Sequence, residues 1–159
     1  MRAVVQRVSR ARVLVDDERV GEIGRGLCVL LGVADGDDAA VAERLAGKVA
    51  RLRIFENDEG KFDRSVLDEG GRALVVSQFT LIADTAKGNR PSFAAAAPPE
   101  VAEPVYEAFC DALADEGVEV ARGRFAARMT VEIANDGPVT IVVDAGGTRT
   151  AGEGGPLLS

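Results

Sequence analysis

The stretch Ala73-Leu74-Val75-Val76-Ser77-Gln78-Phe79-Thr80-Leu81-Ile82 lies at the centre of the predicted fold. Its apolar residues are typical of a strand buried on both faces, yet polar side chains interrupt its middle. In such a strand, the two-residue period places Ser77 and Phe79 on one face and Gln78 and Thr80 on the other. A buried hydroxyl or amide that lacks a partner costs about 1–3 kcal/mol. Either neighbouring main-chain groups satisfy these side chains, or the strand ends at a pocket where a ligand does.

This strand, expected over residues 72–82, is one of several elements that the pattern predicts. Other strands are expected over residues 2–9, 12–16, 19–23, 27–33, 127–134 and 138–144. A first helix follows Asp37 or Asp38, either of which can cap it. A second runs from about Pro99 to Glu116, or begins a few residues later so that Pro104 falls in its first turn. The inner faces of the two helices are predicted to carry Val41, Leu45, Val49, Leu52, Val101, Val105, Phe109 and Leu113. Strands outnumber helices, which predicts a mixed α/β fold with helices on limited faces of the sheet.

The segment Asn135-Asp136-Gly137-Pro138 stands between two apolar runs. Asp-Gly at such a place is a good hairpin signal. Pro138 fits a hairpin less well, because proline cannot donate to a strand ladder and is confined to strand starts and edges. From the pattern alone, this segment is no more than a turn.

Arg7 falls on the same face of its predicted strand as Ala3 and Val5. An arginine at such a position would be partly buried and would need fixed acceptors. The alternative is an arginine whose aliphatic stem is covered while its head reaches solvent.

The composition limits the chemistry that the chain can perform. Its 159 residues, 47% hydrophobic and 28% charged, suit one globular domain. The absence of histidine removes the commonest general base and most zinc sites, and no cluster of ligands suggests a metal or another cofactor. Cys28 and Cys110 are far apart in apolar stretches, so reduced core thiols are favoured over a disulfide or a catalytic thiol.

The net charge of −7 weighs against a nucleic-acid binder, since phosphate affinity comes from lysine and arginine. The arginines are unevenly distributed, however, with groups at Arg2, Arg7, Arg10, Arg12 and at Arg122, Arg124, Arg128. They are interpreted either as solvated surface charge or as a local basic rim. The chain has no apolar run of about 18 residues and no leader pattern, so a cytoplasmic protein is expected.

Two motifs resemble those of the D-aminoacyl-tRNA deacylases, also called D-tyrosyl-tRNA deacylases. Ser77-Gln78-Phe79-Thr80-Leu81 is similar to their SQFTL motif, and Asn135-Asp136-Gly137-Pro138 to their NxGP motif. Further similar segments, in the family's order, are Gln6-Arg7-Val8, Gly21-Glu22-Ile23-Gly24, Leu30-Leu31-Gly32-Val33, Arg53-Ile54-Phe55, Arg90-Pro91-Ser92-Phe93 and Gly123-Arg124-Phe125-Ala126. The resemblance implies a domain over residues 1–145, and the Gly-rich residues 146–159 are expected to form a disordered tail.

The fold that the resemblance implies is α/β, with mixed, largely antiparallel sheets, two main helices packed on one side, and a homodimer. Each active site would be completed by the partner subunit, into which a cis Gly137-Pro138 peptide would reach. Its main-chain carbonyls would take the amino group of a D-amino acid and exclude an L side chain, and Arg7 would brace it. Asn135 belongs to the same substrate-binding motif.

The remaining site residues also follow from the resemblance. The pocket floor, where the catalytic groups would lie, is formed by Ser77, Gln78, Phe79 and Thr80. Main-chain N–H groups near Phe79 and Thr80 would face the ester carbonyl, and Phe125 and Met129 would hold the terminal adenosine. The expected partner is the 3′ aminoacyl-adenosine end of tRNA, with neither a membrane nor DNA as a partner.

The implied activity is hydrolysis of the D-aminoacyl-tRNA ester to free tRNA and a D-amino acid. Glycine wrongly attached to alanine tRNA is a second expected substrate, because a site that excludes L side chains cannot exclude hydrogen. Thr80 is either a nucleophile or a structural residue; the second is favoured, with the RNA 2′-hydroxyl helping to activate water, because no histidine can serve as its base. The rival functions are an L-alanyl-tRNA editor, against which the SQFTL spelling argues, and a non-catalytic binding dimer.

Overall fold

The computed structural model describes residues 1–148, in which strands alternate unevenly with two helices. The strands are β1 (Arg2–Val15), β2 (Glu18–Ile23), β3 (Gly26–Gly32), β4 (Phe55–Glu56), β5 (Phe62–Arg64), β6 (Arg72–Ser77), β7 (Glu119–Arg122) and β8 (Thr130–Asp144). The helices are α1 (Ala39–Arg51) and α2 (Pro99–Asp115), and a short 3₁₀ turn spans Phe79–Leu81. Nearly all of the predicted tail, residues 146–159, lies outside the described residues. No helix within residues 1–148 is long and apolar enough to cross a membrane.

A six-stranded mixed sheet forms the centre of the fold, and β4 and β5 form a separate small hairpin. β1 pairs antiparallel with β2, β3 and β8, whereas β3 pairs parallel with β6, and β6 parallel with β7. Both helices contribute to one hydrophobic core against the sheet. The predicted mixed, largely antiparallel α/β architecture with two helices on one side is therefore confirmed.

The sheet separates two hydrophobic cores, one on each face. The core under the helices includes Val75 of β6 together with Leu45 and Phe109. The core on the opposite face includes Leu74 of the same strand and Val13 of β1. Because successive residues of a strand point to opposite faces, β6 is buried on both sides, as its apolar sequence predicts.

β1 is a single strand, whereas the sequence predicted two, over residues 2–9 and 12–16. Ser9 and Arg10 are exposed in its middle, and the register with β8 shifts there, so the apolar pattern is interrupted without a break in the strand. The strands predicted over residues 12–16 and 19–23 are confirmed as the two arms of a hairpin between β1 and β2. Asp16 and Asp17 form its two-residue turn with φ values of 49° and 63°, as a type I′ turn requires.

Asp38, and not Asp37, caps α1. The Asp38 carboxylate accepts a hydrogen bond from the main-chain N–H of Val41 at 3.0 Å. Asp37 instead pairs with the amino group of Met1 at 2.6 Å, and both groups are buried. Burial lowers the pKa of the Met1 amino group, while Asp37 acts to raise it.

α2 begins at Pro99, as predicted, and the alternative of a later start that would place Pro104 in the first turn is wrong. The N–H groups of Val101 and Ala102 already bond the carbonyl of Pro98, at 3.0 and 2.9 Å. Pro104 lies inside the helix on its exposed side, where water can satisfy the carbonyl that a proline leaves unbonded. Val101, predicted on the inner face, is 43% exposed.

β8 is one long strand, so the predicted pair of strands over residues 127–134 and 138–144, with a hairpin between them, is wrong. It runs beside β1 along most of its length, and the register shift leaves Asp136–Val139 as a bulge opposite Arg7. Residues 135–138 favour a turn by sequence, but they remain within β8 because β1 continues beside them. β7 and the β4–β5 hairpin were not predicted, because each is very short.

Candidate active site

The strand predicted over residues 72–82 ends at Ser77, and the candidate site begins there. The N–H of Gln78 makes the last bond to the neighbouring strand, with the carbonyl of Leu31 at 2.8 Å. Since β3 itself ends at Gly32, the chain has no ladder to continue. The prediction that Ser77 to Thr80 alternate between two faces of a strand is therefore wrong.

The chain instead closes a 3₁₀ turn. The N–H of Leu81 bonds the carbonyl of Gln78 at 3.2 Å, and that of Ile82 bonds the carbonyl of Phe79 at 2.9 Å. This turn packs directly on Gly32, where an added Cβ would lie 3.0 Å from the Leu81 Cβ and 3.2 Å from the Gln78 carbonyl oxygen. A side chain at that position would push the turn away from the sheet.

The turn forms one wall of a cavity of about 510 Å³. The cavity brings together several predicted site residues, namely Ser77, Gln78, Phe79, Thr80, Phe125 and Met129. It is also lined by residues that the sequence analysis did not assign, among them Val33, Phe93, Ala97, Pro98, Ala102 and Ala126. Within residues 1–148, no charged side chain lines it.

Two aromatic rings stand at the cavity beside the 3₁₀ turn. Phe79 meets Phe93 edge to face, with ring centroids 5.3 Å apart, and Phe79 remains 57% exposed. Phe93 was missed as a site residue, although it lies in a segment that resembles the family. Large exposed apolar side chains at a concave site are available to a ligand or another subunit.

The Thr80 hydroxyl is hydrogen-bonded to the Gln78 side chain, which is not a base. Thr80 Oγ1 accepts a hydrogen bond from the Gln78 side-chain amide at 3.3 Å. An amide nitrogen that donates to a hydroxyl cannot remove its proton. In a 3₁₀ turn the first N–H groups have no acceptor inside the turn, and here they belong to Phe79 and Thr80.

The opposite wall comes from the segment between β7 and β8. The Phe125 ring packs against Tyr106 of α2, with centroids 5.9 Å apart. Met129 covers Gly123, where an added Cβ would lie 2.9 Å from its sulfur. Ala126, between them, has a φ of 61°, an uncommon conformation for a residue with a side chain.

Arg2 ties the 3₁₀ turn to the end of β8. Its Nη1 donates to the carbonyl of Leu81 at 3.2 Å, while Nε and Nη2 bond the two carboxylate oxygens of Asp144 at 2.7 and 3.1 Å. A bidentate pair of this kind fixes the guanidinium plane. The turn is thus held from the sheet edge as well as from Gly32.

Arg7 is buried, with 6% of its surface exposed, so the alternative in which its guanidinium reaches solvent is wrong. Its Nε donates to the carbonyl of Asp136 at 3.1 Å and its Nη1 to that of Ile54 at 2.9 Å. The Glu56 carboxylate is 3.6 Å from Nη2, and the Phe62 ring centroid lies 5.8 Å from the guanidinium carbon.

Gly137 and Pro138 are joined by a cis peptide bond, as the resemblance implied. An added Cβ on Gly137 would lie 3.1 Å from Arg7 Nη2, so the arginine directly backs this element. Asn135, Gly137 and Pro138 are exposed in the single chain. None of these residues lines the 510 Å³ cavity.

The strand register explains this separation. Arg7 pairs with Leu27 of β3, which pairs with Ala73 of β6. Ser77 lies four residues further along β6, which corresponds to about 13 Å at the usual rise of a strand. The Gly137-Pro138 element and the cavity therefore occupy different ends of the sheet within one chain.

Cys28 and Cys110 are free and buried, which confirms the prediction of reduced core thiols. Burial raises the pKa of each thiol to about 12. A thiol with such a pKa stays protonated at neutral pH and is a poor nucleophile. The alternatives of a disulfide or a catalytic cysteine are thereby rejected.

The chain is similar in sequence to proteins of one family. The family model described as D-Tyr-tRNA(Tyr) deacylase matches residues 4–144. A protein of Roseiflexus castenholzii named D-aminoacyl-tRNA deacylase is 60% identical over 145 residues, covering 91% of this chain and 92% of its own length. One of the same name from Ruegeria pomeroyi is 59% identical over 144 residues, covering 91% of this chain and 99% of its own length.

Solved structures share the fold. A chain named c-Myc DNA unwinding element binding protein superposes with a TM-score of 0.86 and 44% identity, over 92% of this chain and 99% of that one. A second, described as a probable eukaryotic D-amino acid tRNA deacylase, has a TM-score of 0.75 and 20% identity, over 89% of this chain and 97% of that one.

Proposed function

The chain belongs to the D-Tyr-tRNA(Tyr) deacylase family, and we propose that it hydrolyses the ester bond of D-aminoacyl-tRNA. The products are free tRNA and a D-amino acid. The observation that carries the proposal is the cavity built on residues 77–80, closed on its other side by Phe125 and Met129. The enzyme acts in the cytoplasm as a homodimer.

The uncharged lining of the cavity suits an ester better than a free amino acid. A free amino acid carries a carboxylate, which a protein site normally holds with arginine, lysine or a positive dipole. In an aminoacyl ester that charge is absent, and the carbonyl needs only neutral donors. The cavity therefore favours the esterified amino acid over the released product.

The 3₁₀ turn supplies donors for the reacting carbonyl. The N–H groups of Phe79 and Thr80 lead the turn and are held in place by the sheet, by Gly32 and by Arg2. Fixed donors of this kind stabilise the oxyanion that forms when water attacks, and losing one typically costs about 10²–10³ in rate. An aminoacyl ester is already activated, so positioning and oxyanion stabilisation can supply most of the acceleration.

The Gly137-Pro138 element acts on the cavity of the partner subunit. Within one chain it stands about 13 Å away along the strands from the level of Ser77, so it cannot close its own cavity. The element is exposed. Phe62, whose ring contacts the Arg7 guanidinium, is 53% exposed, and Phe79 at the cavity is 57% exposed. A two-fold dimer that joins these surfaces buries both aromatic side chains.

In that dimer, the main chain of Gly137 and Pro138 is the wall that selects chirality. A main-chain wall cannot move aside as a side chain can, so it rejects an L side chain while accepting hydrogen. Glycine attached to alanine tRNA is for this reason a second substrate. An L-alanyl-tRNA editor would need a wall of the opposite selectivity.

Incubation with D-Tyr-tRNA and L-Tyr-tRNA tests the activity. We expect rapid release of D-tyrosine and retention of the L-tyrosyl ester, with glycyl-tRNA(Ala) hydrolysed and L-alanyl-tRNA spared. Hydrolysis without chiral preference, or no hydrolysis beyond that of a buffer blank, rejects the proposal.

Mixing two inactive variants tests the shared site. Ala96 lines the cavity, so Ala96→Trp fills it. Gly137→Trp disrupts the wall, and each homodimer therefore has two defective sites. A heterodimer has one intact site. If subunits exchange freely, half of the dimers in a 1:1 mixture are heterodimers, and each of these has one intact site out of two. The mixture should therefore regain about a quarter of the wild-type rate. No recovery, in a mixture shown by mass spectrometry to contain heterodimers, would mean that each chain completes its own site.

A further inference from the structure

Cations that form no salt bridge are a minority in this acidic protein, and they are not randomly placed. Most lysine and arginine side chains within residues 1–148 pair with a carboxylate. The described cations without a salt bridge are Arg10, Arg44, Lys48, Lys87, Arg90, Arg124 and Arg128. Four of these seven belong to the two segments that flank the cavity.

Arg124 and Arg128 lie on the cavity's outer wall. Arg124 directly precedes Phe125, and Arg128 lies between Ala127 and Met129, all three of which line the cavity. The N–H of Ala127 bonds the carbonyl of Arg124 at 3.2 Å, so the segment is a defined turn. Both arginine side chains are exposed.

Lys87 and Arg90 are on the loop that leads to the cavity from the other side. Asp84 and Ser92 close this loop with two main-chain hydrogen bonds of 2.8 Å, and Phe93 follows at the cavity. Lys87 and Arg90 are exposed within the closed loop. We call these four cations, Lys87, Arg90, Arg124 and Arg128, the basic rim.

Carboxylates are available near the rim, as the salt bridges of Arg122 show, so the rim cations do not lack partners for want of acidic residues nearby. Arg122 is two residues from Arg124, and it pairs with Glu107 and with Asp111, the latter at 2.8 Å. A paired arginine must give up its carboxylate before it binds a phosphate, whereas the rim cations need not. Because the whole chain carries a net charge of −7, which repels RNA, uncompensated positive charge at the cavity mouth is the condition for holding RNA there.

We propose that the basic rim binds the phosphodiester groups next to the terminal adenosine of the substrate tRNA. This inference rests on the proposed function and adds the surface by which the RNA is held. The uncharged cavity takes the aminoacyl-adenosine, and the rim takes the phosphates that the cavity cannot accommodate. The protein thereby selects an ester attached to RNA over a small free ester.

Two charge-reversal variants with the same net change test the rim. Arg124→Glu with Arg128→Glu alters it, and Arg44→Glu with Lys48→Glu is the matched control, because those exposed cations of α1 also lack a salt bridge and do not line the cavity. Each variant is assayed on D-Tyr-tRNA and on 3′-O-D-tyrosyl-adenosine, which has no phosphate. Thermal unfolding checks that each variant is folded.

We expect the rim variant to raise KM for the tRNA about tenfold or more over the control, and to affect the adenosine ester much less. The dependence of log KM on log salt should flatten by about 0.7 for each phosphate that the protein no longer neutralises. Arg124→Gln with Arg128→Gln should show the same trend at about half the size, because charge is removed and not reversed.

Two results overturn the inference. Equal effects of the rim and control variants would mean that only net charge matters. Equal losses on both substrates would mean that the variant distorts the cavity. Failure of the wild-type protein on both substrates is a different result, since it rejects the proposed function itself.

Discussion

The Nε of Arg7 donates to the main-chain carbonyl of Asp136 at 3.1 Å, which links a buried strand to the exposed segment that carries Gly137. The same guanidinium also bonds the carbonyl of Ile54 at 2.9 Å. Only a fork of several N–H groups in one plane reaches both acceptors at once. The position therefore requires arginine and not merely a positive charge.

Arg7→Lys is expected to destabilise the protein and to impair deacylation. A lysine ammonium reaches one carbonyl and leaves the other unsatisfied, at a cost of about 1–3 kcal/mol in the free energy of unfolding. A displaced Gly137-Pro138 element would lower kcat by about 10², since an error of about 1 Å in a positioning group can cost that much. Urea unfolding and single-turnover deacylation measure the two effects.

Arg12→Lys is the control for this change. Arg12 is on the same strand, but it is 44% exposed and pairs with Glu132 at the surface. Its replacement should change the free energy of unfolding by less than about 0.5 kcal/mol. Similar shifts in both variants would show that the Asp136 and Ile54 carbonyls do not depend on Arg7.

Gly137→Ala is expected to weaken both the fold and the activity. Gly137 has a φ of 128°, and an added Cβ would lie 2.9 Å from Val139 Cγ2 and 3.1 Å from Arg7 Nη2. Such a conformation costs a residue with a side chain about 1–3 kcal/mol. At a temperature where the wild type and the variant are both folded, the variant should still hydrolyse D-Tyr-tRNA more slowly. Lower stability does not explain that loss.

Gly24→Ala provides the comparison for Gly137→Ala. An added Cβ at Gly24 has no neighbour within 4 Å, and its φ is outside the left-handed region. Gly24→Ala should leave the free energy of unfolding unchanged or raise it slightly, because alanine restricts the conformations of the unfolded chain. If the two alanine variants unfold at the same urea concentration, the tight packing inferred around Gly137 is wrong.

The sequence predicted the burial of β6 but not where it ends. Ser77 to Thr80 favour a strand by composition, and the periodicity contains no information about the length of the neighbouring strand. β3 stops at Gly32, which removes the ladder and leaves room for a turn. Tertiary context thus decided a boundary that local propensity left open.

The same cause explains β8. Asp136-Gly137 is a good turn signal, but β1 continues beside it and Arg7 fills the space behind the bulge. The resemblance, not the pattern, predicted the cis peptide and the grouping of residues 77–80 with Phe125 and Met129. Phe93 was missed because its packing against Phe79 depends on a long loop whose path the sequence does not specify.

The free energy of unfolding should fall as the pH rises above about 9. Burial raises the pKa of Cys28 and Cys110 to about 12, whereas an exposed thiol has a pKa of 9.0. Above pH 9 the unfolded chain therefore loses two protons that the folded chain keeps, so ionisation favours unfolding. The slope approaches about 1.4 kcal/mol per pH unit for each thiol.

The Cys28→Ala, Cys110→Ala double variant isolates the contribution of the thiols. It should be less stable at pH 8, because two core side chains are truncated, but its stability should change less between pH 9 and pH 10. Urea unfolding at pH 8, 9 and 10 gives both slopes. Equal slopes for the variant and the wild type would refute the thiol explanation.

Thr80→Ala is expected to retain most deacylation, with a loss of less than about tenfold. The Thr80 hydroxyl accepts a hydrogen bond from the Gln78 amide, and the chain contains no histidine that could act as its base. The N–H groups of the turn, which the variant keeps, carry the stabilisation of the oxyanion. In this mechanism the RNA 2′-hydroxyl helps to activate water, so a substrate ending in 3′-D-tyrosyl-2′-deoxyadenosine should react at least about 10²-fold more slowly. Single-turnover rates for both proteins on both substrates decide between the mechanisms. A loss of several orders of magnitude in Thr80→Ala, with little effect of the deoxy substrate, would make Thr80 the nucleophile.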